Sequence, residues 1–164
     1  MNLSIPRYQP ADVWRGVTIY AGGDTAAALL LGEFHWGRML GMALVGGGLY
    51  ALEIPAWFRW IDRRVTASGA AASLRRTVLA MAYFNPLWIA RHLLLIKLFS
   101  GLTNQIGWGL LRVGAWSFLA NIPISLAGNF VVQNLLPLRH RFLGSAIFSA
   151  LMAVYYAVST RWFH

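Results

Sequence analysis

Five apolar segments, near 13–32, 37–58, 76–99, 107–136 and 142–160, constrain this chain more than any other feature. A helix needs roughly 20 predominantly apolar residues to cross the hydrocarbon of a bilayer, and each segment is long enough. Composition agrees, because 58% hydrophobic against 12% charged residues leave too little polar surface to coat a water-soluble globule of 164 residues. The expected fold is all-α: a single domain over 1–164, an integral membrane bundle of four to five hydrophobic helices with the lipid bilayer as its main partner. The fourth segment is overlong and carries Pro123 in its interior. It is therefore expected to be kinked or broken there, and four and five crossings both stay open.

Five acids (Asp12, Asp24, Glu33, Glu53, Asp62) face fourteen bases, a net charge of +9 that in a soluble domain would point to nucleic acid. Here the bases lie between apolar segments, so topology is the reading and no nucleic-acid partner is expected. With the N-terminus inside and five crossings, the cytoplasmic side receives Arg7, Arg15, Arg59, Arg63, Arg64, Arg75, Arg76, Arg139 and Arg141. The outer side receives only Arg38, Lys97, Arg112 and Arg161, as the accumulation of arginine in short cytoplasmic loops requires. Trp14, Trp36, Trp57, Trp60, Trp108 and Trp162 fall at segment ends, where an amphipathic ring suits the headgroup layer, while Trp88 and Trp116 fall inside segments and read as packing residues. The first ten residues hold two prolines and no apolar run, so retention of the first helix is expected; a weak mitochondrial presequence is the other reading.

Asp24 and Arg91 lie near the middles of the first and third segments, where an ionised side chain costs roughly 3 kcal/mol or more unless it is paired or wet. An Asp24–Arg91 ion pair is the expectation, either fixing helix register or serving as a gate. Glu53 reads as a local partner of Arg59 and Arg63 or as a charge at a pore mouth. Asp62-Arg63-Arg64 reads as a solvated loop anchor, and Lys97 as a side chain reaching the outer interface. In the fourth segment Ser117, Asn121, Ser125, Asn129 and Gln133 recur every four residues and form a polar ridge, serving either as interhelical adhesive or as a solute lining. The ridge turns by about 40° per step, because four residues overshoot a 3.6-residue turn. Gly37-x-x-x-Gly41 and the Ala43, Gly47, Ala51 ladder permit close helix approach within the chain, and Ser145, Ser149, Ala153 and Ala157 form a similar ridge on the fifth segment, with a dimer contact as its alternative use.

Catalysis finds little footing. Cysteine is absent, the four histidines are scattered without metal-ligand spacing, and Gly46-Gly47-Gly48 sits inside a hydrophobic helix, not in a phosphate-binding loop. No enzyme activity, metal or cofactor is expected.

The segments also carry an ordered set of short motifs: Gly23-Asp24, Gly37-Arg38, Trp57-Phe58 with Ile61-Asp62-Arg63, Phe84-Asn85-Pro86, then Pro123, Asn129-Phe130, Pro137-Leu138 and Arg141. In order and spacing over residues 22 to 141 these resemble the Mpv-seventeen / twenty-two-kilodalton peroxisomal membrane protein family. The chain departs from that pattern at Ala80-Met81, Ile122 and Leu126, where the family usually has polar residues, tryptophan and glutamine. The resemblance implies structural roles for Gly23, Gly37, Arg38, Trp57, Asp62, Arg63, Pro86, Pro123, Pro137 and Arg141, with Asp62 fixing a helix end or meeting Arg141. It also implies channel-like permeation of small solutes, as proposed for eukaryotic members; Asp24, Arg91, Asn121, Ser125, Asn129 and Gln133, singled out above as charges and ridge residues, are then candidates for the permeation path or for buried polar contacts. The alternative is a non-transporting subunit within a homo-oligomer or a larger membrane complex. Thirteen arginines to one lysine, with abundant alanine and glycine, favour a bacterial cytoplasmic membrane over a mitochondrial inner or peroxisomal one.

Overall fold

The computed structural model describes residues 8–162, with side-chain surroundings through Tyr155. Arg7 and His164, and the side chains of Ala157, Arg161 and Trp162, lie outside the described residues. The described residues form helices joined by short connections. Helix α1 (Pro10–Leu31) starts with proline, whose missing N–H is no loss in a first turn. It stops at Gly32, where a φ of 75° lets the backbone N–H bond back to the last turn.

Helix α2 (Trp36–Val45) is capped by the ring of His35, which accepts from the Gly37 N–H. It passes through a π turn (Gly46–Tyr50) into α3 (Ala51–Arg64). Pro55 explains the widened turn: a proline inside a helix removes one hydrogen bond and crowds the carbonyl four residues back, and the ladder takes up that fault just upstream. Because α3 continues to Arg64, the residues Asp62, Arg63 and Arg64 form its last turn and not the solvated loop expected. The connection shrinks to residues 65–69.

The third apolar segment is two helices, α4 (Ala70–Tyr83) and α5 (Pro86–Phe99). The Asn85 side chain accepts from the N–H groups of Leu87 and Trp88, and Pro86 occupies the first helical position, so the sequence Asn-Pro starts a helix here. Helix α6 (Gly109–Phe130) runs through Pro123 without breaking; the irregularity comes later, as a π turn at Val131–Leu135. Leu136 is then extended, as a residue before proline prefers, and α7 (Leu138–Trp162) follows Pro137.

Helix α1 packs against α2, its π turn and α7, while α5 packs on α2 and α6, and α4 on α3 and α6. Helix α6 meets α7 only sparsely, which leaves space between them. The α1–α2 crossing is as close as backbone allows: a Cβ placed on Gly16 would overlap the Gly46 carbonyl, and one on Gly46 the Gly16 carbonyl. Gly37 and Gly41 seat the end of α5 at Phe99, and Gly47 faces Val13 and Val17, so these small-residue ridges serve packing within the chain. The core is built around Tyr20, Tyr50, Ile54, Phe58, Ile61 and Phe142.

Among the described residues, three helical stretches are long and apolar enough to cross a membrane: Trp36–Arg64, Ala70–Phe99 and Gly109–Leu135. Large apolar side chains on the exterior, including Leu44, Leu87, Trp108, Trp116 and Leu151, fit a lipid-facing surface. Trp116 thus faces outward and is not the packing residue expected, whereas Trp88 does pack, against Tyr50, Phe84 and His92.

Candidate functional site

The space between α6 and α7 is a cavity of about 410 Å³, walled by α1, α5, α6 and α7 with Arg38 of α2 at one end. On α6 the lining runs from Val113 to Asn129, about 24 Å at 1.5 Å per residue, so the cavity is a long slot and not a wide lumen. Apolar walls come from Ala27, Leu31, Ile89, Leu93, Ile96 and Phe148 among others. Polar groups form a line along it: Asp24 and Arg38 at one end, His92 beside them, then Ser117, Asn121, Ser125 and Asn129 from α6 facing Ser145 and Ser149 from α7.

Of the six expected path residues, Asp24, Asn121, Ser125 and Asn129 line this slot; Arg91 and Gln133 do not. The expected Asp24–Arg91 pair is absent. Asp24 is instead gripped by Arg38 through two bonds, Nε to Oδ2 at 2.7 Å and Nη2 to Oδ1 at 2.8 Å. The short 32–35 connection folds α2 back along α1, which brings Arg38 level with Asp24. Arg91 is excluded by helical geometry: its neighbour His92 faces the slot, and successive residues on a helix point about 100° apart.

Arg91 turns to α3 and forms a two-bond pair with Glu53 at 3.1 and 2.8 Å, so Glu53 is not paired with Arg59 or Arg63 as expected. The Tyr83 hydroxyl donates to the same carboxylate at 2.7 Å. This cluster touches the slot indirectly. The Arg91 guanidinium lies over the Tyr50 ring, and the Tyr50 hydroxyl meets His92 Nδ1 at 2.9 Å.

Among the described residues, the asparagines of the ridge make no bond across helices. Asn121 Nδ2 donates to the Ser117 carbonyl at 2.7 Å and Asn129 Nδ2 to the Ser125 carbonyl at 2.9 Å, both within α6. Gln133 leaves the ridge because the drift of about 40° per step and the π turn at Val131 rotate it away. It is fully buried next to Arg141, which donates to the Leu136 carbonyl and to Asp62 at 2.6 Å. The contact of Asp62 with Arg141 that the family resemblance implied is therefore present, and it spans 79 positions of sequence. Next to it Asn134 binds Thr77 and accepts from Arg76, which also holds the carbonyls of Val65 and Ala67. Gln133 and Asn134, the α6-side members of these clusters, follow Asn129 by about one helical turn.

Three further positions of the sequence motifs make packing or backbone contacts. Gly23 lets α1 approach Ala150 of α7, Trp57 donates to the Leu79 carbonyl and stacks on Trp60, and Pro86 starts α5. Lys97 binds Gln105 across the connection that follows α5. Sequence reasoning missed Arg38, His92, Ser145 and Ser149 as slot residues. The two serines were visible as a small-residue ridge, but nothing in their spacing said what the ridge would face. Among the described residues, no group of three or more histidine, aspartate or glutamate side chains is placed to hold a metal. No protein-family model matches the chain, and no curated protein or solved structure is significantly similar to it.

Proposed function

We propose that this chain is a small channel-like, solute-permeability protein of a membrane, and that it is a bacterial-type relative of the family its motifs resemble. The observation that carries this reading is the slot itself. A purely structural helix bundle gains by filling its interior with close-packed side chains, whereas here serine, asparagine and a charged pair line a space along about 24 Å of α6. In this reading all five apolar segments cross, and Pro123, which leaves the Leu119 carbonyl without its helical donor, sets a bend in α6 that widens the slot. Arginine-rich connections then face the cytoplasm, and the Asp62–Arg141 and Arg76–Asn134 clusters close the slot on that side. A single chain offers a narrow path, and wide permeability would require several protomers.

The test is solute flux in proteoliposomes containing purified protein, over a panel of small neutral and ionic solutes. Flux above protein-free vesicles is expected, with Asn129→Leu reducing it several-fold and Lys97→Leu leaving it unchanged. Absence of flux for the whole panel would point to a non-transporting subunit of a larger membrane assembly.

Orientation is tested independently. Ser68→Cys introduces the sole thiol of a cysteine-free chain into the 65–69 connection. A membrane-impermeant maleimide should label it only after cells are opened, and labelling of intact cells would reverse the topology.

A further inference from the structure

The chemistry of the slot lining bears on what it can hold. Its two formal charges, Asp24 and Arg38, cancel in a two-bond pair, leaving no net charge for a permeating ion to meet. Beyond that pair every polar side chain on α6 and α7 along the slot is a neutral hydroxyl or amide. An ion drawn to the depth of Asn129 would shed hydration and gain only dipoles in return, a poor exchange in a low-dielectric interior.

The Asn121 and Asn129 amides keep hydrogen-bonding capacity to spare. Each Nδ2 donates one of its two hydrogens to a carbonyl of its own helix, and no donor among the described residues reaches either Oδ1. Serine hydroxyls, which both donate and accept, stand one turn before each amide and opposite on α7. Unmet hydrogen-bonding groups in an apolar surround cost enough free energy that they favour a hydroxyl-bearing partner. Apolar side chains such as Ile89, Leu93 and Phe148 alternate with them and suit the carbon skeleton of such a solute.

We infer that the slot takes small uncharged polyols of about glycerol size and excludes inorganic ions; the inference rests on the permeability reading above. The juxtaposition of the Asn121 and Asn129 amides with the hydroxyls of Ser145 and Ser149 in one cavity, beside a self-neutralised ion pair, carries it.

Stopped-flow light scattering of proteoliposomes under a glycerol gradient, with KCl conductance measured on the same preparation, tests it. Glycerol permeability should exceed that of protein-free vesicles while KCl conductance stays at background. The Asn129→Leu variant should lower glycerol permeability by about fivefold, the scale of one lost hydrogen bond. Because leucine there can disturb packing, the smaller Ser125→Ala/Ser149→Ala variant serves beside it, with its melting temperature checked against the parent. A KCl conductance as large as the glycerol flux overturns the polyol assignment and leaves the permeability reading standing. Unchanged glycerol flux in the well-folded serine variant overturns the slot as the route. No flux of either solute overturns the permeability reading, and this inference with it.

Discussion

Asp24→Ala and Arg38→Ala are each expected to destabilise the bundle by about 3–5 kcal/mol, the cost of leaving one member of a buried ion pair without its partner. Both side chains are nearly withdrawn from the surface, 7% and 12% exposed, and their two short bonds leave little room for water to substitute. Removing both together should cost far less. Asp24→Leu/Arg38→Met replaces the pair by apolar side chains of similar bulk, and a buried pair exchanged for good packing is often close to neutral. Thermal unfolding in detergent, followed by intrinsic tryptophan fluorescence, separates the cases. Equal loss in the single and double variants would mean that Asp24 and Arg38 act through something other than each other. The outer pair behaves differently: Glu53 and Arg91 are about one-third exposed, so breaking it should cost less than breaking Asp24–Arg38.

The second large effect is expected at the crossing of α1 and α2. Gly16→Val or Gly46→Val places a side chain where the other helix has its carbonyl group, and backbone cannot step aside as the end of a flexible side chain can. Overpacking commonly costs about 1–3 kcal/mol and sometimes more, and here it should push α1 off the bundle. Loss of monodisperse protein on size exclusion is the expected result. Gly48→Ala is the matched comparison, because a Cβ there meets nothing within 4 Å and alanine is about 1 kcal/mol better than glycine in a helix. If the Gly16 and Gly46 variants behave like Gly48→Ala, the close crossing does not hold the fold together.

The helical character of the chain was legible from the length of its apolar segments, but several helix ends were not: the second helix runs on to Arg64, and the third apolar run begins at Ala70 and divides. Gly32 and Pro137 mark stops that follow from backbone chemistry alone. The split between α4 and α5 was equally available, since Asn85-Pro86 is a cap followed by a proline at the first helical position, but the hydrophobic run across it concealed the signal. Pro123 worked in the opposite sense. The expectation there was a kink or a break; the helix carries through it unbroken, and the π turns lie beside Pro55 and ahead of Pro137.

The four-residue ridge on α6 was likewise readable, and four of its five members, Ser117, Asn121, Ser125 and Asn129, do line the slot. Its direction was not readable. Periodicity says which residues share a helix face but not what that face meets, and the π turn that diverts Gln133 has no clear mark in the sequence.

What the sequence by itself determined was one-dimensional: which runs are apolar enough to be buried helix, and roughly how deep along them each charge sits. That sufficed to require that Asp24 and Arg91 be paired or wet, because an isolated charge at that depth is too costly. Which partner each took was decided only by tertiary structure. Ion pairing depends on lateral neighbours and on rotation about each helix axis, and two residues can sit at the same depth yet face opposite ways. Helix α2 folding back along α1 delivers Arg38 to Asp24, and α5 turns Arg91 toward Glu53 while His92 faces the slot. The slot has the same origin, arising where α6 packs on α4 and α5 and meets α7 only sparsely, a property of five helices together that no one segment carries.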